Sequence, residues 1–205
     1  MYKEHIGILG GSFDPVHKGH IAIARSAINI LKLNKILLIP CAIHSQKSQL
    51  IASIKHRLSM LKIAVQYENN IYVDEIETKV NEINYTIDTI KYFYTQRKNH
   101  IYYLIIGSDQ LINFCSWLEW DKIIDLVDLV VFSRANKKIF IPNDLNRKLL
   151  EKNKYIRLLP NLFHKISSTS IRHKINNKKL NFDKINELEK PIIEYIKKFN
   201  LYINK

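Results

Sequence analysis

Short apolar runs alternate along the chain with longer segments of helical periodicity. The runs read "HIGILG", "KILLIP", "IYVD", "IYYLIIG" and "DLVVFS", and turn-forming residues bound each of them. Their apolar residues are continuous rather than alternating, which is typical of strands that are buried on both faces of a parallel sheet. The pattern therefore predicts five parallel strands, at 5–10, 35–40, 71–74, 101–107 and 128–133.

The segments between these runs carry apolar residues at helical spacing. They predict helices at 20–32, 51–67, 85–98, 109–114 and 118–125. Strict alternation of strand and helix predicts an α/β fold with a doubly wound, Rossmann-like parallel sheet, as a single domain over residues 1–205. We expect residues 135–148 to form a surface loop or a short helix. The C-terminal part is expected to be helical over 182–200, in a helix interrupted or started at Pro191.

Composition indicates an ordinary globular protein of 205 residues, 46% apolar and 25% charged. No apolar stretch is long enough to span a bilayer, and the start "MYKEH" does not resemble a secretory signal. Cys41 and Cys115 are too few for a disulfide framework and are expected to be reduced thiols. We therefore predict a cytoplasmic protein with no membrane partner; nothing in the sequence indicates an oligomeric state.

The chain carries a formal charge of +13, which raises the question of a nucleic-acid partner. The lysines are scattered, and they accompany an excess of isoleucine and asparagine of the kind that AT-rich coding produces. No aromatic-glycine motif of the type that stacks bases is present. We therefore predict no nucleic-acid partner, although a basic surface could steer a phosphorylated small molecule.

The loop "GGSFDPVHKGH", residues 10–20, joins the first strand to the first helix. Gly10 and Gly11 let backbone N–H groups approach an anion closely, and the helix N-terminus favours phosphate. His17 and His20 lie on one face of the first helical turn, where a cation opposes the helix dipole unless an anion is bound. We interpret both as phosphate donors; the alternative is that His17 only caps the helix and His20 only packs.

A second cluster, "HKISSTSIRHKI", spans residues 164–175. Its hydroxyls at 167–170 are favourable N-caps, and Arg172 lies in the first turn that follows them. That charge is unfavourable without an anion, so we expect removal of Arg172 to leave the free protein as stable as before or slightly more so. Two anion-binding helix N-termini, far apart in sequence, together suit a nucleoside triphosphate.

These two motifs resemble GxFxPxHxGH and ISSTxIR of the (H/T)xGH nucleotidyltransferase superfamily. Within it, the chain is most similar to the bacterial nicotinate-nucleotide adenylyltransferase family, over essentially its whole length. The similarity includes "NYTIDTI", "IIGSDQLINFCSWLEWDKI" and "LVVFSR". It implies in-line transfer of AMP from ATP to nicotinate mononucleotide without a covalent enzyme intermediate, with Mg²⁺ bound to ATP and no dedicated metal site.

The resemblance also implies roles for individual residues. It assigns catalysis to His17, His20 and Arg172. These three would bind ATP together with Gly10, Ser12, Phe13, Gly107, Asp109, Ser168 and Thr169. The mononucleotide would contact Lys47, Tyr85, Thr86, Asp109, Trp117 and Arg134, with Trp117 stacked on the pyridine ring. A helix cap for Asp109, a core position for Trp117 and a solvent-facing Arg134 are the structural alternatives.

One segment differs from the family pattern. The family usually has Pro-Pro-His-Lys after the second strand, where this chain reads "IHSQK", residues 43–47. Lys47 keeps its place and Gln46 replaces the histidine, so that His44, Gln46 and Lys47 stay alternative contacts to the mononucleotide. Leu118 also replaces a residue that is often aromatic.

Four other functions were weighed. A phosphopantetheine adenylyltransferase is usually shorter and lacks the Ser-Trp segment found here at 116–117. An enzyme that prefers nicotinamide mononucleotide shares all the motifs. A fragment of a class I aminoacyl-tRNA synthetase would need far more chain to hold tRNA. A non-catalytic RNA-binding protein would leave both phosphate-binding helix N-termini unexplained.

Overall fold

The computed structural model describes residues 3–42, 50–78, 84–96, 99–133, 139–160, 166–177 and 182–203. Within these ranges it contains one sheet of six parallel strands in the order β3-β2-β1-β4-β5-β6. The strands are β1 (His5–Gly11), β2 (Lys35–Pro40), β3 (Ile71–Val73), β4 (Ile101–Gly107), β5 (Asp128–Phe132) and β6 (Arg157–Leu159). The first five lie where the apolar runs predict them, and the sixth was not predicted. Strand order reverses between β1 and β4, which pair in parallel.

Eight α-helices connect and cover the described strands. They are α1 (Lys18–Leu31), α2 (Ile54–Val65), α3 (Thr86–Gln96), α4 (Ser108–Ile112), α5 (Trp120–Leu126), α6 (Asn143–Glu151), α7 (Ser168–Asn176) and α8 (Lys190–Lys198). The polar segment 135–148 includes the start of α6, while residues 134–138 lie outside the described ranges. Pro191 lies in the first turn of α8, so this helix starts at the proline rather than being interrupted by it.

The helices bury apolar residues against both faces of the sheet. One cluster joins α1, α2, α7 and α8 to the sheet through Ala24, Met60, Ile171 and Ile192. The other joins α3, α5 and α6 to the opposite face through Ile90, Ile124 and Leu145. Helices on both faces of a parallel sheet confirm the predicted doubly wound, Rossmann-like architecture. No helix among the described residues is long and apolar enough to cross a membrane. Within the same ranges, neither Cys41 nor Cys115 forms a disulfide.

Gly7 lies in the middle of β1, where the sheet leaves no room for a side chain. A Cβ atom at this position would come within 2.6 Å of Ile36 Cγ1 and 2.9 Å of Leu33 Cδ1. Both neighbours are buried, so they have little freedom to move away. At Gly10, near the end of the same strand, no atom of the described residues other than its chain neighbours lies within 4 Å of the equivalent position.

We therefore expect Gly7→Ala to destabilise the protein by roughly 1–3 kcal/mol, as overpacking of a core does. Gly10→Ala serves as the matched control and should unfold at the wild-type denaturant midpoint, because its methyl group enters open space. Chemical denaturation of the three proteins measures the difference. Equal midpoints for Gly7→Ala and the wild type would show that the core around β1 adapts to a methyl group.

Candidate active site

A cavity of about 600 Å³ lies at the carboxyl ends of the strands, around the point where strand order reverses. Every strand except β3 contributes its last residue or the residue that follows. These residues are Gly11, Cys41, Gly107, Ser133 and Pro160. Ligands of open parallel sheets bind at this edge, because the loops there are free to carry functional groups.

The two histidines predicted as phosphate donors meet at one wall of this cavity. His17 caps α1, and its backbone N–H donates to His20 Nδ1 at 3.2 Å. Since Nδ1 accepts this bond, the proton of a neutral His20 ring lies on Nε2, which makes Nε2 a donor. The two rings stack with their centroids 3.7 Å apart, so positive charge on both would be strongly repulsive unless an anion lay against them.

The ring of Phe13 packs against this pair of histidines. Its ring is 1% exposed and packs edge-on against His20 at a centroid distance of 4.9 Å. The backbone of Phe13 has a φ of 47°, in the left-handed region that non-glycine residues rarely adopt. Phe13 does not line the cavity formed by the described residues, whereas its predicted neighbours Gly10 and Ser12 do.

The hydroxyl-rich start of α7 lies opposite α1. Ser167 caps the helix by accepting from the backbone N–H of Ser170 at 3.1 Å. Ser168 Oγ donates to the carbonyl of Pro15 at 2.9 Å, in the loop between β1 and α1. Arg172 Nη1 donates to the carbonyl of Asp14 at 2.7 Å, and its Nη2 donates to Thr169 Oγ1 at 3.2 Å. The two predicted phosphate-binding helix N-termini therefore face one cavity and are joined to each other.

This geometry revises the expectation for Arg172 in the free protein. Its guanidinium already has a partner there, the carbonyl oxygen of Asp14. Removing the side chain would take a charge-assisted donor from that carbonyl, which is unfavourable in a partly buried loop. The unfavourable placement against the helix dipole is thus offset within the fold, and we no longer expect the loss of Arg172 to leave the free protein unaffected.

Residues predicted for the mononucleotide form the other wall. Tyr85, which is 41% exposed, and Thr86, the first residue of α3, both line the cavity. Trp117 also lines it, with its ring 5.1 Å from that of Phe114 in the core. The indole Nε1 is buried and has no hydrogen-bond partner among the described residues. Trp117 is therefore both a half-buried packing residue and a wall of the cavity.

Besides Phe13, one described residue that was predicted for the site does not line the cavity. Asp109 lies in the first turn of α4, is exposed, and is absent from the residues that line the cavity. Lys47 and Arg134 lie outside the described residues, as do the alternative contacts His44 and Gln46.

Sequence reasoning missed a carboxylate in the wall. Glu77, just after β3, lines the cavity, and Thr89 Oγ1 donates to its Oε1 at 2.7 Å. Asn84 Nδ2 donates to the Glu77 carbonyl at 3.0 Å. Burial raises the pKa of the Glu77 carboxyl above its ordinary value, and the Thr89 bond opposes this only in part. Its position after the carboxyl end of a strand was the available signal, because that edge carries the ligands of such sheets.

This chain is similar to known nucleotidyltransferases. The family model for cytidylyltransferase-like proteins matches residues 8–174. A Bordetella petrii protein named "probable nicotinate-nucleotide adenylyltransferase" is 37% identical over 84% of this chain and 87% of its own. A Borrelia turicatae protein of the same name is 37% identical over 97% of both chains. A solved structure, Plasmodium falciparum nicotinic acid mononucleotide adenylyltransferase complexed with NaAD, is 25% identical, with a TM-score of 0.80 over 97% of both chains.

The raised pKa of Glu77 predicts a pH-dependent effect of Glu77→Gln on stability. The folded protein holds the Glu77 proton more tightly than the unfolded chain does. The contribution of this proton to stability is fully present below the unfolded carboxyl pKa, near 4.3, and is lost as pH rises through the folded value. Gln stays neutral and can still accept from Thr89, so the variant should melt above the wild type at neutral pH, and the difference should close on acidification.

Thermal melts of both proteins between about pH 4 and pH 8 measure this difference. Glu75→Gln is the matched control on the same segment, because Glu75 makes a surface ion pair with Lys62 at 2.6 Å. It should not gain stability at neutral pH. A Glu77→Gln difference that is constant with pH would show that the carboxyl titrates alike in the folded and unfolded states.

Proposed function

We propose that His17, His20 and Arg172 contact the substrate phosphates in an enzyme of the cytidylyltransferase-like family. Within that family, the chain belongs to the nicotinate-nucleotide adenylyltransferases. The protein transfers the AMP part of ATP to nicotinate mononucleotide, which gives nicotinate adenine dinucleotide and pyrophosphate in NAD biosynthesis. The observation that carries the proposed roles is the junction of two helix N-termini, α1 and α7, around one cavity at the carboxyl edge of the sheet.

The proposed reaction is an in-line displacement at the α-phosphorus of ATP. An oxygen of the mononucleotide phosphate forms the new bond, the bond from the α-phosphorus to the bridging oxygen breaks, and its electron pair leaves with pyrophosphate. No nucleophile from the protein is needed, so catalysis depends on positioning and on hydrogen bonds that strengthen as charge develops. His20 supplies such a donor through Nε2, because Nδ1 accepts from the His17 N–H. His17, stacked on it, would contact the same phosphates.

The start of α7 would hold the leaving pyrophosphate. The hydroxyl proton of Ser168 is already donated to Pro15, so the backbone N–H groups of Ser168 and Thr169 are the better donors there. Arg172 adds a guanidinium, which has donors beyond the two used by Asp14 and Thr169. A bound pyrophosphate would offset the unfavourable placement of this cation near the start of α7.

On the ATP side, Gly10, Ser12 and Gly107 border the cavity with backbone rather than with bulky side chains. Among the described residues, no atom beyond the chain neighbours of Gly10 lies within 4 Å of its Cβ position. Close approach of a nucleotide to this strand end is therefore sterically possible, and a larger side chain would occupy that space.

On the mononucleotide side, we propose that Trp117 stacks on the pyridine ring and that the N-terminus of α3 reads the carboxylate. Thr86 begins α3, and the first N–H groups of a helix favour an anion. Tyr85 flanks the same corner of the cavity. Backbone donors of this kind satisfy a nicotinate carboxylate but face the N–H groups of a nicotinamide, which favours the acid.

Mg²⁺ is proposed to enter with ATP, bound to its phosphate oxygens. Mg²⁺ takes oxygen ligands and commonly combines one or two carboxylates with substrate phosphates. Among the described residues that line the cavity, Glu77 carries the one carboxylate, and Thr89 already bonds to it. The remaining imidazole, hydroxyl and guanidinium groups suit phosphate oxygens, so this donor set fits a metal carried by ATP. When bound, the ion offsets phosphate charge.

Two further proposals concern the protein as a whole. Residues 1–205 would act as a single nucleotidyltransferase domain, because the cavity draws on loops from both ends of the chain, at His17 and at Arg172. The reaction would take place in the cytoplasm, where ATP is available as its substrate.

Removing the His20 ring should affect the transition state more than ground-state binding. We expect His20→Ala to lower kcat by roughly 10²-fold or more, with a smaller change in the affinity for ATP. His173→Ala is the matched control, since His173 is exposed on α7 away from the cavity and its loss should leave kcat unchanged. Steady-state release of pyrophosphate measures both variants. A His20→Ala enzyme with the wild-type kcat would reduce His20 to a packing residue.

The acid should be preferred over the amide as the second substrate. Each unpaired buried polar group costs about 1–3 kcal/mol, and sites that hydrogen-bond a substrate group can discriminate on the order of 10⁴-fold. Pyrophosphate release with ATP and either nicotinate or nicotinamide mononucleotide gives the ratio of kcat/KM values and tests the activity itself. Comparable values for the two substrates would contradict the backbone-donor hypothesis.

Trp117 variants separate stacking from this choice of substrate. Trp117→Ala should raise KM for both mononucleotides alike and leave their ratio intact, because an aromatic ring stacks equally well with either. Trp117→Phe is the matched control, since it keeps a ring and should retain most of the affinity.

A further inference from the structure

A charged side chain lies fully buried behind the cavity wall. Arg57 on α2 is 1% exposed and is not among the residues that line the cavity. Its guanidinium donates three hydrogen bonds, all to backbone carbonyls of other segments. Nη1 bonds Ser12 at 2.8 Å, Nη2 bonds Ala42 at 3.3 Å and Nε bonds Ala52 at 3.3 Å.

Two of these carbonyls, those of Ser12 and Ala42, lie just beyond the ends of β1 and β2. β1 and β2 pair in parallel as far as Gly11 opposite Pro40, and Cys41 N–H then donates to the Gly11 carbonyl at 3.1 Å. Beyond that point both segments leave the sheet. Arg57 donates to the carbonyl of Ser12, which follows β1, and to the carbonyl of Ala42, which lies after β2. The guanidinium therefore continues the connection between β1 and β2 where the backbone ladder ends.

Asp14, in the loop between β1 and α1, connects to the same segments. The carboxylate of Asp14 accepts from the N–H groups of Ile51 at 2.8 Å and Ala52 at 3.1 Å, and from Tyr202 Oη at 2.8 Å. Burial raises the pKa of the Tyr202 hydroxyl, which keeps it protonated as a donor. The N–H of Ala52 donates to Asp14 and its carbonyl accepts from Arg57. The segments that follow β1 and β2, called here the strand exits, are therefore both fixed against the same short segment.

Both exits border the cavity. Ser12 lines it from the end of β1, and Cys41 lines it from the end of β2. A link between them makes the two walls behave as one body, so that a ligand which orders one wall also orders the other.

We propose that Arg57 is a positioning residue that joins the β1 and β2 exits and thereby couples the binding of ATP to that of the second substrate. The identity of that second substrate rests on the proposed function. Arginine is required because its planar guanidinium presents donors in several fixed directions, whereas a lysine ammonium is a single point on a flexible stem. Burial lowers the pKa of the Arg57 guanidinium, and the neighbouring Cys41 side chain and then the Asp14 carboxylate oppose this.

The test compares Arg57→Lys with Met60→Ala. Met60 lies one turn further along α2 and is 0% exposed, so its truncation destabilises the same helix without touching either exit. At a temperature well below both melting points, we expect Arg57→Lys to lose at least about tenfold in kcat/KM for both substrates. Met60→Ala should melt as low or lower and yet keep kcat/KM near the wild-type value.

Coupling is measured separately by thermal shift with a non-hydrolysable ATP analogue and nicotinate mononucleotide, alone and together. In the wild type and in Met60→Ala the joint shift should exceed the sum of the single shifts, and in Arg57→Lys it should equal that sum. Unchanged kcat/KM and coupling in Arg57→Lys, or an equal loss in Met60→Ala, would overturn the proposal.

Failure of the proposed function and failure of the variant to fold are distinguished as follows. If the wild type does not turn over nicotinate mononucleotide, the proposed function fails. The positioning role is then tested by the ATP-analogue shift alone, which must fall in Arg57→Lys and persist in Met60→Ala. If Arg57→Lys shows no cooperative unfolding, Arg57→Gln takes its place in the same measurements, and failure of both variants to fold would make Arg57 a folding residue and overturn the proposal.

Discussion

Two backbone carbonyls in the loop between β1 and α1 hold the active site together. Pro15 accepts from Ser168 and Asp14 accepts from Arg172, at 2.9 and 2.7 Å. These bonds join residues more than 150 positions apart and place the N-termini of α1 and α7 around one cavity. Two positive helix ends in one place repel each other, and these hydrogen bonds, together with the packing of α1 and α7 in one apolar cluster, offset that repulsion. An anion between them removes that repulsion.

This constraint accounts for three cationic or potentially cationic groups in unfavourable positions. His17 is the N-cap of α1, His20 lies in the first turn of that helix, and Arg172 lies near the start of α7. In the free protein, Arg172 is satisfied by a carbonyl, and His20 accepts an N–H, which suits its neutral form. In the proposed reaction, the substrate phosphates supply the opposite charge that these positions lack. Hydrogen bonds from this wall therefore gain most when negative charge on the phosphates is greatest, as in the transition state.

Local signals explain what the sequence could predict. Continuous apolar runs located the first five strands, and the glycine- and hydroxyl-rich loops located both phosphate-facing helix starts. The strand β6 was missed because it has three residues and its Leu158 is exposed, so it lacks a continuous apolar run. Asp109 was predicted for the site by analogy, yet the short α4 leaves it exposed outside the cavity. Arg57 gave no signal, because carbonyls from three distant segments decide its burial.

The strong positive charge of the chain and the chemistry of the cavity are nearly independent of each other. Among the described residues that line the cavity, Arg172 is the one lysine or arginine, although the whole chain carries 32. The other charges act at longer range, where salt screens them over about 8 Å, and can raise the rate at which anionic nucleotides arrive. Selection among those nucleotides then depends on short-range donors, namely helix N–H groups and His20, whose directions are fixed by the fold. A change in surface lysines would therefore alter association rates, while the choice of substrate would stay with the cavity.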